Sequence, residues 1–269
     1  MDDSEPKGRV LIIAGSDSGG GAGIQADIKS VTAMGGYAAT AITAITVQNT
    51  LGVSAIHPIP LDIIKGQIEA VLSDIGADVI KTGMLGTSEI VALVADCLES
   101  CDPPIPLVLD PVMVATSGDM LVDDGAQAAI RDRLLPLATL ITPNIPEAEK
   151  LTGLEIEDIS GQLEAANRLI EMGARAALVK GGHLEGPAVT DVLVSTRGME
   201  LFDRPRLPGR NTHGTGCTLA SAIAGLLADG ASQHDAVRRA GDYLHEAIAR
   251  APGFGAGHGP VNHAWVTRP

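Results

Sequence analysis

The chain has 269 residues, 45% of them hydrophobic and 19% charged, a globular composition with ample material for one α/β core. A net charge of -14 speaks against nucleic-acid backbones and anionic membrane surfaces as partners, and 2% aromatic residues against a stacking platform for single strands. No apolar run reaches the roughly 18 residues that span a bilayer. The polar start MDDSEPKGRV is unlike a signal peptide, and the scattered Cys97, Cys101 and Cys217 point to a reducing cytoplasm rather than a disulfide framework.

In chain order, Val10–Ala14 reads as an apolar strand running into GSDSGGGAG, Gly15–Gly23, then a helix with Ile24, Ile28 and Val31 on one face. Tyr37–Val47 is a second strand, and Val53–Ile59, ending at prolines, an edge strand or flap. A helix over Ile64–Ile75 precedes the strand Val79–Thr82, the helix Glu89–Leu98 and the buried strand Leu107–Leu109. Ala126–Leu135 reads as helix, Leu140–Thr142 as strand, Pro146–Leu151 and Leu163–Met172 as helices and Ala176–Val179 as strand. Val189–Ser195 and Met199–Phe202, joined at Thr196-Arg197-Gly198, form an antiparallel hairpin on a sheet edge. A helix after Gly216, another over Ala236–Ile248 and a Gly-rich tail complete the chain. Strands alternate with helices almost throughout, so a mainly parallel sheet covered on both faces is expected, as one domain over 1–269 with 1–7 a disordered tail.

Polar or Gly-rich segments fall just after the strands: Gly15–Gly23, Gln48-Asn49, Gly83-Met84, Asp110–Met113, Asn144–Glu147 and Lys180–His183. In an open α/β sheet these converge on the carboxyl rim, where ligands bind. The first segment lacks G-x-G-x-x-G spacing and no Gly-Lys pair occurs, so neither a dinucleotide fingerprint nor a Walker A loop is present. Asp110 and Glu147 can hold Mg²⁺ through water or serve as plain turn and cap acids. Lys180 can meet a phosphate as a point charge or end its strand in solvent.

The stretch Asn211–Ala222, NTHGTGCTLASA, places Gly214-Thr215-Gly216 and Cys217 in the first turn of an apolar helix. Unpaired N–H groups and the helix dipole suit such a turn to an anion; the plain alternative is a turn before a core helix. There the dipole is expected to lower the Cys217 pKa, making it a nucleophile with His213 as base, or a base or hydrogen-bond partner to a substrate hydroxyl. A small core thiol is the plainer reading.

GSDSGGGAGIQADIKS (15–30), ITVQNT (45–50), KTGML (81–85), LDPVMVATSGD (109–119), TPNIPEAEKLTG (142–153), VKGGH (179–183), NTHGTGCTLASAIA (211–224) and GHGPVNH (257–263) follow one another. In order and spacing, over nearly the whole chain, they resemble the hydroxymethylpyrimidine/phosphomethylpyrimidine kinases of thiamine biosynthesis, in the ribokinase superfamily. The resemblance implies a three-layer α/β/α ribokinase-like fold, a mainly parallel central sheet with an antiparallel edge hairpin, and a homodimer. It implies an enzyme using ATP and Mg²⁺ to phosphorylate 4-amino-5-hydroxymethyl-2-methylpyrimidine and then its monophosphate. Carried over, Gln48 pairs with the pyrimidine edge, Asp27 lies near the substrate, and Gly15, Ala22, Met84 and Val112 line its pocket. Gly214, Thr215, Gly216 and Cys217 form the anion hole, Cys217 standing where related sugar kinases carry an aspartate base. Lys180, Asn144 and Thr212 serve the nucleotide, while Asn144 and Glu147 organise Mg²⁺ and water. Thr116 departs from the lysine common at its position, and Thr46 from a small apolar residue. Rival readings are a pyridoxal kinase, a catalytically silent pyrimidine- or nucleotide-binding regulator, and a Cys/His hydrolase, for which no residue orienting His213 is identifiable.

Overall fold

The structure is a computed structural model describing residues 8–114, 118 and 121–267; the expected tail, residues 1–7, and Thr116 lie outside the described residues. Its strands are β1 (Arg9–Ser16), β2 (Tyr37–Asn49), β3 (Gly52–Pro58), β4 (Val79–Thr82), β5 (Leu107–Leu109), β6 (Leu140–Ile141), β7 (Ala177–Val179), β8 (Ala188–Ser195) and β9 (Gly198–Pro205). The helices are α1 (Gly23–Ala33), α2 (Leu61–Asp74), α3 (Ser88–Glu99), α4 (Asp124–Ala129), α5 (Ile145–Thr152), α6 (Ile159–Glu171), α7 (Thr215–Ala228) and α8 (Gln233–Ala249). All strands join one sheet in the order β3-β2-β1-β4-β5-β6-β7-β8-β9.

The middle of the sheet is parallel, from β2 to β7. Both edges are antiparallel: β8 and β9 form the expected hairpin, and β3 turns back along β2. Alternation along β1 shows how the three layers are built. Leu11 and Ile13 pack with α2, α3, α5 and α6, whereas Val10, Ile12 and Ala14 pack with α1 and α7. A third apolar group under α7 and α8 covers the β6–β8 side of the sheet.

Two expectations change in detail. The helix expected over Ala126–Leu135 is regular only over α4; it widens to a π turn at Ile130–Leu134 and closes as a 3-10 turn at Leu135–Leu137. Pro136 has no N–H to donate and its ring crowds the carbonyl four residues back. On α1, Asp27 is buried and Ile28 is 38% exposed, so the inner face is Ile24, Asp27, Ser30 and Val31.

Topology fixes where a ligand goes. From β1 the chain moves one way to β2 and then back past β1 to β4. At such a switch point the loops leaving the carboxyl ends diverge and open a crevice.

Candidate active site

A cavity of about 660 Å³ opens at that crevice. Its wall carries Gly15, Ala22, Gln48, Met84, Val112, Asp110, Asn144, Glu147, Lys180, Thr212 and Gly214–Cys217, every expected site residue except Asp27.

The turn into α7 is set by Gly214, whose φ of 78° is left-handed. A Cβ there would stand 1.8 Å from the Gly21 carbonyl oxygen, so both conformation and space require glycine. Gly216 has no Cβ between the cavity and Lys180, whose Nζ would lie 3.2 Å from one. Gly216 and Cys217 stand in the first helical turn, where backbone N–H groups have no acceptor inside the helix. The N-cap, being glycine, supplies no side chain to take them.

Beneath this turn runs a buried line of alternating charge. Lys81, fully buried on β4, lies 2.8 Å from Asp27 and 3.9 Å from Asp110. Asp110 meets Lys180 at 3.2 Å, and Lys180 lies 4.0 Å from Glu147. Asp27 is therefore not on the cavity wall: it also accepts the Ser221 hydroxyl at 2.6 Å, and its place is the counter-ion under the floor. Burial works against both lysines, yet Asp27 and Asp110 hold Lys81 above its usual pKa, and Asp110 and Glu147 do so for Lys180. Burial pushes the Glu147 carboxyl up to about 7, with Lys180 opposing and Asp110 adding to the rise. Glu147 also closes a capping box with Asn144, each side chain bonded to the other's backbone N–H at 2.8 and 2.9 Å.

Cys217 overturns one expectation. Its thiol is pushed up to about 12, by burial first and by Asp27 and Asp110 after it, against the opposing Lys81 and the Gly23 N–H. Cys217 is half-buried on the cavity wall, and with its pKa raised it rests as a thiol. His213 is not its partner either. The imidazole Nε2 bonds Asp17 at 2.9 Å, and among the described residues no hydrogen bond joins His213 to Cys217.

Asp17 is the site residue missing from the sequence reading. Its carboxylate accepts N–H groups from Gly19, Gly21 and Ala22 at 2.7, 3.0 and 2.8 Å as well as the His213 ring. Burial acts to raise its pKa, but these donors hold it below the ordinary value, so it is ionised and Nε2 of His213 carries the proton. An aspartate two residues before a glycine is a signature of a side-chain-closed turn, and that signal was available. Beside it, Ser18 and Gln48 exchange bonds, Ser18 Oγ to Gln48 O at 2.7 Å and Gln48 N to Ser18 Oγ at 2.9 Å. The Thr46 hydroxyl donates to Ser16 O at 2.8 Å and lies 3.1 Å from the Gln48 side-chain oxygen.

A helix N-terminus flanked by lysine and lining a cavity at a switch point defines an α/β protein with the geometry to hold a small anionic ligand. The sequence profile described as phosphomethylpyrimidine kinase matches residues 17–262, and the chain belongs to that family. It is 51% identical to the thiamine biosynthesis bifunctional protein ThiED of Geobacter sulfurreducens, over 96% of this chain but 52% of that protein's length. With the hydroxymethylpyrimidine/phosphomethylpyrimidine kinase of Streptomyces coelicolor it shares 46% identity over 96% of this chain and 94% of the other. Among solved structures, phosphomethylpyrimidine kinase from Clostridium difficile superposes with a TM-score of 0.80 at 42% identity, covering 90% of this chain and 100% of that one. A Staphylococcus aureus pyridoxal kinase complexed with AMP-PCP and pyridoxal superposes with a TM-score of 0.89 at 35% identity, covering 97% and 95%.

Proposed function

We propose that the protein uses ATP to phosphorylate the hydroxymethyl group of 4-amino-5-hydroxymethyl-2-methylpyrimidine and then phosphorylates that monophosphate, in thiamine biosynthesis. One observation carries the reading: a single cavity joins Gln48 at one side to the donor-rich turn Gly214–Cys217 and Lys180 at the other, in a chain of this family. The Gln48 amide offers a donor and an acceptor side by side, matching an aminopyrimidine edge. Gly15, Ala22, Met84 and Val112 supply the walls against the ring. The N–H groups of Gly216 and Cys217, with Lys180, take the charge of the moving phosphoryl group, and Asn144 and Thr212 stand toward the nucleotide. Phosphoryl transfer through a loose transition state asks for positioning more than for early proton removal. Cys217, a thiol at rest, then serves as hydrogen-bond partner of the attacking hydroxyl.

Asp110 and Glu147 suit Mg²⁺: Asp110 Oδ2 is buried without a hydrogen-bond partner, and two carboxylates beside phosphates are the donor set this ion takes. Bound there, the ion would neutralise phosphate charge. A homodimer is proposed as well, supported by the exposed apolar residues Ile45, Val47, Leu51 and Ile56 of the β2–β3 edge, and sedimentation checks it. For the cytoplasm, support is confined to the three cysteines being few, scattered and unpaired in disulfides; among the described residues no helix is long and apolar enough to cross a membrane.

The test is ATP-dependent turnover of hydroxymethylpyrimidine, its monophosphate and pyridoxal side by side, with and without Mg²⁺. Turnover of both pyrimidines with pyridoxal slow is expected. Turnover of pyridoxal alone sinks the reading and installs the second one, pyridoxal kinase, which the close superposition on the Staphylococcus aureus enzyme favours.

A further inference from the structure

The residues around the cavity mouth close a ring that the proposed chemistry leaves unused. Asp17 gathers the loop after β1 and bonds His213, one residue before Gly214. His213 N donates to Gly259 O at 3.2 Å, and the ring packs beside Gly21, where a Cβ would meet its Cδ2 at 2.6 Å and Pro260 at 2.9 Å. From Gly259 the tail runs back to β2: His258 N donates to Thr50 O at 2.9 Å and Gly257 N to Thr50 Oγ1 at 3.3 Å. Two residues before Thr50, Gln48 exchanges bonds with Ser18, which follows Asp17. The ring thus passes along both the loop after β1 and the turn before α7, and the buried Asp17–His213 bond is a side chain–side chain contact that joins the two directly.

We infer that Asp17 and His213 are a positioning pair, locking the loop that flanks the pyrimidine against the turn that receives the phosphoryl group. The inference rests on the kinase reading of the cavity. Neither residue need touch reacting atoms: each half keeps its own ligand contacts, while the bond between them sets the distance from hydroxyl to phosphorus. Misalignment by about 1 Å can cost about a hundredfold in rate with little change in binding.

The experiment measures kcat and both KM values for hydroxymethylpyrimidine and ATP in His213→Leu, His213→Gln and Asp17→Asn, with calorimetric binding of the pyrimidine as an independent readout. His213→Leu is expected to lose about tenfold to a hundredfold in kcat with KM and binding within about threefold. His213→Gln, whose amide N–H reaches the same carboxylate, recovers most of that loss. Asp17→Asn loses the charge and sets its amide N–H against the Gly19 N–H while its one oxygen can still accept from Nε2–H, so a partial loss of kcat is expected, and the comparison survives should His213→Leu fail to fold. Unchanged kcat in Asp17→Asn, equal loss in the Gln and Leu variants, or a loss confined to KM overturns the pair. Absence of pyrimidine turnover in the unmodified protein removes the kinase reading and the inference with it, an outcome distinct from all of these.

Discussion

Two glycine-rich turns lead into helices on the same face of the sheet, and they use their backbone donors in opposite ways. In Gly15–Gly23, before α1, the N–H groups of Gly19, Gly21 and Ala22 all end on Asp17. In His213–Gly216, before α7, the N-cap is a glycine without a side chain, and the charged atom nearest to where a Gly216 Cβ would stand is the Lys180 ammonium at 3.2 Å, ahead of Asp110 at 3.9 Å. The first turn carries its own anion; the second is left to receive one. Glycines before a helix are thus insufficient evidence of an anion site. What decides is whether a carboxylate inside the turn has already taken the donors.

The comparison breaks most readily at Gly214. Alanine there must hold a left-handed φ and drive its methyl into the Gly21 carbonyl, 1.8 Å away. The backbone must move, so kcat is expected to fall more than about a hundredfold, as when an oxyanion donor is misplaced. Alanine at Gly66, in α2 outside the cavity wall and meeting nothing within 4 Å, is the control for a harmless added methyl. Equal activity in the two variants would remove the anion role from the second turn.

The charges beneath the second turn give the next largest effect. Lys81→Met leaves Asp27 buried without its cation, which costs about 3–5 kcal/mol when a buried pair is broken. The double variant Lys81→Met with Asp27→Leu removes both charges and is expected to regain most of that stability, by denaturant midpoint. If its kcat stays low while stability returns, the line of charge serves the turn rather than the fold.

The sequence made most of this architecture readable. Val79–Thr82 and Leu107–Leu109 are bounded to the residue, the first by Gly83 and the second because its apolar run ends at Asp110. The helix read over Pro146–Leu151 is α5, one residue longer at each end, because the Asn144–Glu147 capping box starts it at Ile145. Lys81 was not readable as a site residue: its partner Asp27 is 54 positions away, and only the fold shows that the β4 lysine needs a buried acid. Asp27 carried a hint, since Ile24, Asp27 and Val31 share a helical stripe, but apolar counting preferred Ile28. For Cys217 the position was right and the sign of the pKa shift wrong, because a dipole is visible in sequence and burial is not.

Asp17→Ala turns the first turn into a likeness of the second. Unpairing its donors is expected to cost about 1–3 kcal/mol, for they are at least partly buried. Millimolar sulfate should raise the melting temperature of this variant more than that of the unmodified protein, at matched ionic strength. Sulfate bound at N–H groups vacated by a carboxylate would confirm that the two turns differ only in their resident anion. An equal response in both proteins would show that the donors had rearranged instead.

The smallest effect lies one turn into α7, where His263 meets the Thr218 hydroxyl at 2.9 Å. Burial, with Lys29 and His213 adding to it, pushes the His263 pKa down to about 4. The unfolded chain takes up a proton near pH 6.5 that the folded one refuses until about 4. More protons on the unfolded side mean that this stabilisation is complete above about pH 6.5 and is lost as pH falls toward 4. Melting temperature against pH should therefore decline more gently over that window in His263→Asn than in the unmodified protein. Parallel curves would mean that folding does not lower the His263 pKa and that its bond to Thr218 adds nothing to the pH dependence of stability.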